Sequence, residues 1–128
     1  MRARYQFVLL LPTPWAARWC PAVYDSALED TPAVRRAMAS YLREHPVCAW
    51  SGSTVHLNVH HILPAHECVL TGRRDLLTDP ANMITLSRGV ADDWIGEDNW
   101  HWIIGHHRDW SHWNLNVRAD CAAHTDEG

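Results

Sequence analysis

The sequence predicts a small α+β protein with a single domain. Its 128 residues fit one compact domain. One segment spaces its apolar residues as a helix does, and a later segment alternates apolar and polar residues as a half-buried strand does. The hydrophobic fraction of 47% and the charged fraction of 20% are typical of a globular chain and exclude wholesale disorder.

The first thirty residues predict an N-terminal arm or strand followed by an irregular segment. Tyr5–Leu11 is a short apolar run that fits either a buried strand or an extended arm, and it is too short for a signal peptide. Pro12–Asp30 contains three prolines and is expected to be irregular. We therefore expect an arm or strand with an irregular segment over 1–30, the functional domain over 31–121, and a polar tail over 122–128.

The clearest helix signal starts at Thr31. Thr31 can cap a helix whose first residue is Pro32, the favoured order at a helix N-terminus. Pro46 then ends the segment. The apolar residues that follow one another at helical spacing are Val34, Met38, Tyr41 and Leu42.

Two short strands and a late helix complete the predicted elements. Val55–Val59 alternates apolar and polar residues, and Asn82–Leu86 reads as a second strand. A polar loop is expected over 66–80. The segment His-Trp-Ile-Ile that starts at His101 is expected to lie on a helix.

Histidine and tryptophan are unusually frequent, with ten and eight residues, and the adjacent pair His60-His61 stands out. Neighbours on a strand point to opposite faces, so the two imidazoles should have different roles. One can hold a metal ion while the other accepts a proton near neutral pH. An isolated pair of this kind would more often be two ordinary surface histidines.

The pair is not isolated. The chain reads CAWSGSTVHLNVHHILPAHE, then LLTDPANMITLS, then NWHWIIGHHRDW. In this order, HHILP and DPANMITL resemble the HNH endonuclease family, in particular its small phage-type members. The resemblance spans about 31–121. It implies a ββα-metal motif packed on the upstream helix, and hydrolysis of DNA phosphodiester bonds with one divalent metal ion.

The resemblance also implies roles for individual residues. His61 matches the general base, and His60 matches the first metal ligand. Asn82 matches the central asparagine, which is expected to brace the hairpin and orient the base. His101 is the best match for the final histidine and therefore for a second metal ligand, with His106 as a further candidate ligand.

The chain departs from the family pattern around its cysteines and its last histidine. Ser51 and Ser87 stand where cysteines would hold zinc beside Cys48, so no structural four-cysteine zinc is expected. Ala91 and Asp92 occupy the usual place of the last histidine, and an insertion follows. His106, His107 or Asp92 could therefore replace or join His101.

Imidazole ligands favour zinc, nickel or manganese, whereas magnesium prefers oxygen; the identity of the metal stays open. DNA is the expected partner, although the formal net charge of −4 argues against strong non-specific DNA binding. The arginines considered as phosphate contacts are Arg73, Arg74, Arg88 and Arg108.

The late tryptophans could stack on unpaired bases, but an aromatic core is the preferred interpretation. No apolar run is long enough to span a membrane, which favours the cytoplasm. The alternative function is a binding module that has the HNH scaffold and does not cleave.

Overall fold

The computed structural model of the chain describes residues 21–90 and 93–127. The expectations for Tyr5–Leu11 and for Asp92 lie outside these ranges. The helices of the described residues are α1 (Pro21–Glu29), α2 (Pro32–Glu44), α3 (Ala65–Leu70) and α4 (Val117–Glu127), and the strands are β1 (Leu57–His61) and β2 (Met83–Ser87). Single helical turns lie at Arg74–Leu77, Pro80–Asn82 and His101–Gly105.

The two strands pair antiparallel, with Leu57 opposite Ser87 and His61 opposite Met83. The α+β expectation is thereby confirmed. Both strands begin later than predicted. Val55 lies before β1 and is 47% exposed, and Asn82 lies in the single turn before β2. The later start places His60 and His61 inside β1, at its end, where both are buried.

Helix α2 confirms the clearest signal in the sequence. Val34 and Tyr41 are buried, and Met38 packs against the core beside them. Thr31 occupies the N-cap position, but its hydroxyl donates a 2.7 Å hydrogen bond to the carbonyl of Leu28. Thr31 therefore ties the start of α2 to the end of α1 instead of capping α2.

The prediction of irregular structure before residue 31 is wrong for α1. Pro21 stands at the first position of the helix, where its missing N–H costs nothing. Tyr24, Ala27 and Leu28 then form a buried stripe at helical spacing. The prolines at the start of this segment concealed that stripe in the sequence.

The predicted polar loop over 66–80 is also partly wrong, since it contains α3 and two single turns. Asp25 of α1 accepts a hydrogen bond from the backbone N–H of His66 at 2.6 Å, so α3 begins against α1. Ala65 and Cys68 are fully buried in the same interface. Tertiary packing rather than local propensity stabilises this short helix.

Helix α4 was not predicted because few apolar residues mark it. Val117 and Cys121 lie four residues apart and bury one face of the helix against β2, in a cluster with Ile84 and Leu86. Arg118 donates a 2.6 Å hydrogen bond to the carbonyl of Met83. The segment 122–127, expected as a polar tail, continues this helix.

Asn82 joins the two ends of the connection between the strands. Its Oδ1 accepts a hydrogen bond from the backbone N–H of Leu63 at 2.8 Å. Its Nδ2 donates to the carbonyls of Leu63 and Leu76 at 3.0 and 3.2 Å. The side chain is buried, so water cannot readily replace it as the hydrogen-bond partner of these backbone groups.

We expect Asn82→Ala to lower the free energy of unfolding by about 2–4 kcal/mol, because it leaves several buried backbone groups without partners. Urea denaturation of the full chain measures the change. Asn82→Asp should recover only part of the loss, since a carboxylate cannot donate to the two carbonyls. A loss below about 0.5 kcal/mol, as for a surface substitution, would contradict the bracing role.

Candidate metal centre

Three histidines from distant parts of the chain meet at the end of the hairpin. His60 lies on β1, while His101 and His106 lie at the two ends of the turn His101–Gly105. One nitrogen from each ring lies within 4.8 Å of the others. His60 is buried and the other two are half-buried. The cluster is therefore able to hold a metal ion.

The turn His101–Gly105 is π-helical, and this geometry brings His101 and His106 together. Residues five apart on an α-helix point roughly 140° away from each other, whereas a π turn hydrogen-bonds residues five apart and aligns them. The last residue of the turn is Gly105. A Cβ atom there would lie 3.2 Å from the His60 ring and 3.3 Å from the His101 ring, so glycine permits this close approach.

Hydrogen bonds on the far side of two rings fix their proton positions. Nδ1 of His106 lies 2.7 Å from the carbonyl oxygen of His112, which can only accept. Nδ1 of His101 lies 3.1 Å from Oδ1 of Asn58. In both rings Nδ1 therefore donates, and Nε2 carries a lone pair. Second hydrogen bonds of this kind orient and tune histidine ligands in metal sites.

The two lone pairs face each other, with the Nε2 atoms of His101 and His106 only 3.2 Å apart. Nδ1 of His60 lies 3.1 Å from Nε2 of His101. In a tetrahedral site with Zn–N bonds of 2.0–2.1 Å, neighbouring ligand nitrogens are about 3.3 Å apart. These two separations are close to that edge length, and all three nitrogens lie within 4.8 Å of one another. A cation between the nitrogens would relieve the repulsion of the lone pairs.

His60 supplies another mark of an incomplete polar site. Its Nε2 is buried and has no hydrogen-bond partner within the described part of the chain. A buried polar nitrogen without a partner costs free energy. Its Nδ1 lies 3.1 Å from the Nε2 lone pair of His101 and can donate a hydrogen bond to it, or bind a metal ion through its own lone pair when the ring proton is on Nε2.

Burial keeps the three rings neutral, which is the form that binds metal. Burial, with the nearby His106 and Arg88, lowers the pKa of His101 to about 3. Burial and then its neighbours His101 and His106 hold the pKa of His60 well below the usual value. Burial also lowers the pKa of His106.

His61 lies in a different environment from its neighbour. Its Nε2 lies 2.9 Å from the carbonyl oxygen of Leu77, and its Nδ1 lies 3.1 Å from a carboxylate oxygen of Glu29. Both partners accept, so the ring is held as a cation. Burial alone would lower the pKa of His61, but the hydrogen bond and charge of Glu29, with the Leu77 carbonyl, raise it.

Within the described residues, the side chain of Asn82 makes no direct hydrogen bond to His61. Its side-chain hydrogen bonds go to the backbone of Leu63 and Leu76, while Glu29 and the Leu77 carbonyl hold the His61 ring. Asn82 therefore acts on the connection between the strands, and α1 provides the partner of the histidine.

A cavity of about 540 Å³ connects these groups. It is lined by the three clustered histidines and by His61 with Glu29. Three carboxylates, from Asp25, Glu29 and Asp93, line it beside one guanidinium, from Arg88. Three carboxylates and one guanidinium give the lining a net negative charge, which a protonated His61 offsets only in part. A divalent cation would compensate the remaining negative charge.

Among the four arginines predicted to contact phosphate, only Arg88 lines this cavity. Arg73 makes a surface ion pair with Asp75 at 2.9 Å, and Arg74 is exposed. Arg108 lines an adjoining cavity. His107 is exposed and does not join the cluster.

Sequence reasoning missed Glu29, Asn58 and the carbonyl of His112. Glu29 lies in the segment expected to be irregular, and a backbone carbonyl has no sequence signature. Asn58 alternates with the apolar residues around β1, and its step of two from His60 places both on the same face of the strand. The two-residue spacing of Asn58 from His60 was therefore the sequence signal that could have identified Asn58.

Comparison of the chain with protein-family models, curated proteins and solved structures finds no match. The HNH resemblance therefore rests on the quoted residues of the sequence. Within the described residues, no helix has the length and apolar character needed to cross a membrane.

We expect the chain to bind one equivalent of Zn²⁺ or Ni²⁺, and His101→Ala or His106→Ala to weaken binding at least ten-fold, because each removes one of three ligands. Isothermal titration calorimetry on the full chain measures both. The matched control is His107→Asn, which changes an exposed neighbouring histidine at a positive φ that asparagine tolerates. Equal affinity in the control and the His106 variant would contradict the site.

Proposed function

We propose that this chain is a metal-dependent endonuclease that hydrolyses DNA phosphodiester bonds in the cavity above the three-histidine cluster. The observation that carries the proposal is that the metal-binding nitrogens and the His61–Glu29 pair line the same cavity. A divalent cation there would stabilise negative charge on a phosphoryl oxygen. The resemblance to HNH endonucleases supports the same reaction.

The ligand count supports a catalytic rather than a structural metal. Structural zinc sites are closed by four protein ligands, whereas catalytic sites use three and leave a position for water or substrate. Within the described residues the cluster contains three ligands. The cavity supplies the space on the remaining side.

The proposed proton-transfer group is His61 together with Glu29. As a cation beside a carboxylate, the pair can accept one proton at Glu29 or release one from Nδ1 of His61. Glu29 is 34% exposed while His61 is 1% exposed, so the carboxylate is the member that solvent reaches. The base that the HNH resemblance assigns to His61 thus works through Glu29 in this arrangement.

Charge explains why the proposed activity needs the metal. The carboxylates that line the cavity repel a phosphodiester, and the whole chain is acidic, with a net charge of −4. Affinity for nucleic acid normally comes from neutralising phosphates with basic residues. Here the cation and Arg88 must supply most of that attraction, so DNA should bind weakly without metal.

The alternative is a binding module with an HNH-like arrangement and no turnover. The observation that favours it is the engagement of both ring nitrogens of His61, which leaves no lone pair ready to accept a proton. Metal-dependent DNA binding without cleavage would support this alternative.

We expect supercoiled plasmid to be nicked or linearised by the full chain with Mn²⁺, Ni²⁺, Zn²⁺ or Mg²⁺, and not with excess EDTA. His61→Ala and Glu29→Gln should each slow cleavage by about 10²–10⁴-fold, the usual contribution of an acid–base group. Gel electrophoresis of timed samples measures the rates.

His107→Asn, prepared identically, is the control for purification and should cut at the wild-type rate. Retention of zinc by His61→Ala would show that the metal site survives the substitution. Cleavage at equal rates by wild type and His61→Ala would reject the assignment of the pair. Absence of cleavage of both the plasmid and a single-stranded oligonucleotide with every metal would reject the nuclease.

A further inference from the structure

Trp94 is a large aromatic side chain held at the mouth of the cavity with 72% of its surface exposed. Ile95 beside it is 58% exposed. Exposed apolar surface of this size is unfavourable in water and commonly marks a binding site.

The backbone around Trp94 is fixed. Asn99 is buried, and its Nδ2 donates hydrogen bonds to the carbonyls of Asp93 and Trp94 at 2.8 and 3.2 Å. Its Oδ1 accepts from the N–H of Trp102 at 3.1 Å. The turn that carries Trp94 is thereby tied to the π turn that carries the metal-binding histidines.

Aromatic rings connect Trp94 to the three-histidine cluster. The ring centroids of Trp94 and Trp110 are 5.2 Å apart. Trp110 in turn lies 4.8 Å from the His106 ring and 5.2 Å from the His101 ring. A base stacked on Trp94 would therefore lie on the far side of Trp110 from the three-histidine cluster, where a phosphate would bind.

An apolar cavity of about 570 Å³ continues from this point. Both cavities share Ala22 and Trp110 in their linings. Ile95 and Trp102 line the continuation, and Arg108 places a cation on it. Asp109 also lines it, but its carboxylate accepts hydrogen bonds from the side chain and backbone of Ser111 at 2.6 and 3.0 Å.

With a metal ion at the three-histidine cluster, the order of chemistry along this path would be a cation that attracts phosphate, an aromatic surface, and the guanidinium of Arg108. That order matches a nucleic acid strand, whose phosphates alternate with flat bases. Aromatic stacking combined with cationic contacts is how proteins bind single strands without sequence preference. A paired base has its faces covered by its neighbours in the duplex, so only an unpaired or flipped base can stack here.

We propose that Trp94, Trp110 and the adjoining cavity form a subsite for an unpaired nucleobase beside the phosphate bound at the three-histidine cluster. This inference rests on the proposed function, since it places the scissile phosphate at the metal. It narrows the substrate class to single-stranded or locally unpaired DNA.

Fluorescence anisotropy tests the subsite with the full chain, one equivalent of Zn²⁺, and labelled single-stranded oligothymidylate of about ten nucleotides, within the range that such sites cover. A duplex of the same strand and an abasic oligomer of equal length are the comparison probes. Gels follow cleavage of the probes, and the affinities are taken from readings made before any cleavage is detected.

Trp94→Ala should weaken binding of the single strand by about 5- to 100-fold, and Trp94→Phe should retain most of the affinity. Leu115→Ala removes an apolar side chain that is 60% exposed and lines neither cavity, so it should bind as wild type. The duplex and the abasic oligomer should bind weakly, and the abasic oligomer should not distinguish Trp94→Ala from wild type.

Wild-type affinity in Trp94→Ala, or equal affinity for the abasic oligomer and oligothymidylate, would overturn the subsite. Plasmid cleavage that persists in that case would leave the proposed function intact. Base-dependent binding with no cleavage in any metal would instead reject the nuclease and keep the subsite. Absence of binding to every probe would reject both.

Discussion

The site depends on two hydrogen bonds that point away from it. The carbonyl of His112 and Oδ1 of Asn58 accept from the Nδ1 atoms of His106 and His101, so both Nε2 lone pairs face the same point. Because those atoms are 3.2 Å apart, their lone pairs repel each other, and a cation between the rings would relieve this repulsion. Holding the two lone pairs this close costs free energy, but it preorganises the imidazole ligands for a metal ion. Ligands that are already held in place need little reordering on binding.

The pleat of β1 separates two kinds of chemistry within adjacent residues. His60 meets the π turn, where burial keeps its imidazole neutral and able to bind metal. His61 meets Glu29 of α1, which holds its imidazole as a cation. The end of β1 borders one cavity that reaches both rings. Two neighbours of the same residue type can therefore supply a metal ligand and a proton-transfer group.

Sequence patterns predicted the parts of this arrangement that follow local periodicity. The alternation along β1 predicted that His60 and His61 point to opposite faces of the strand. The helical spacing of apolar residues predicted α2. His101 and His106 were both candidate ligands in the sequence, but the π turn that brings them together was not predicted, because a helix separates residues five apart and a π turn has no known sequence signal. Glu29 was missed because only tertiary packing reveals that α1 is a helix.

X-ray absorption spectroscopy at the zinc edge, on the full chain with one equivalent of Zn²⁺, tests the central claim most directly. An open three-histidine centre predicts three imidazole ligands and one oxygen from solvent, all at about 2.0–2.1 Å, with no sulfur. A sulfur ligand at about 2.3 Å, four protein ligands, or zinc bound without imidazole would contradict the account.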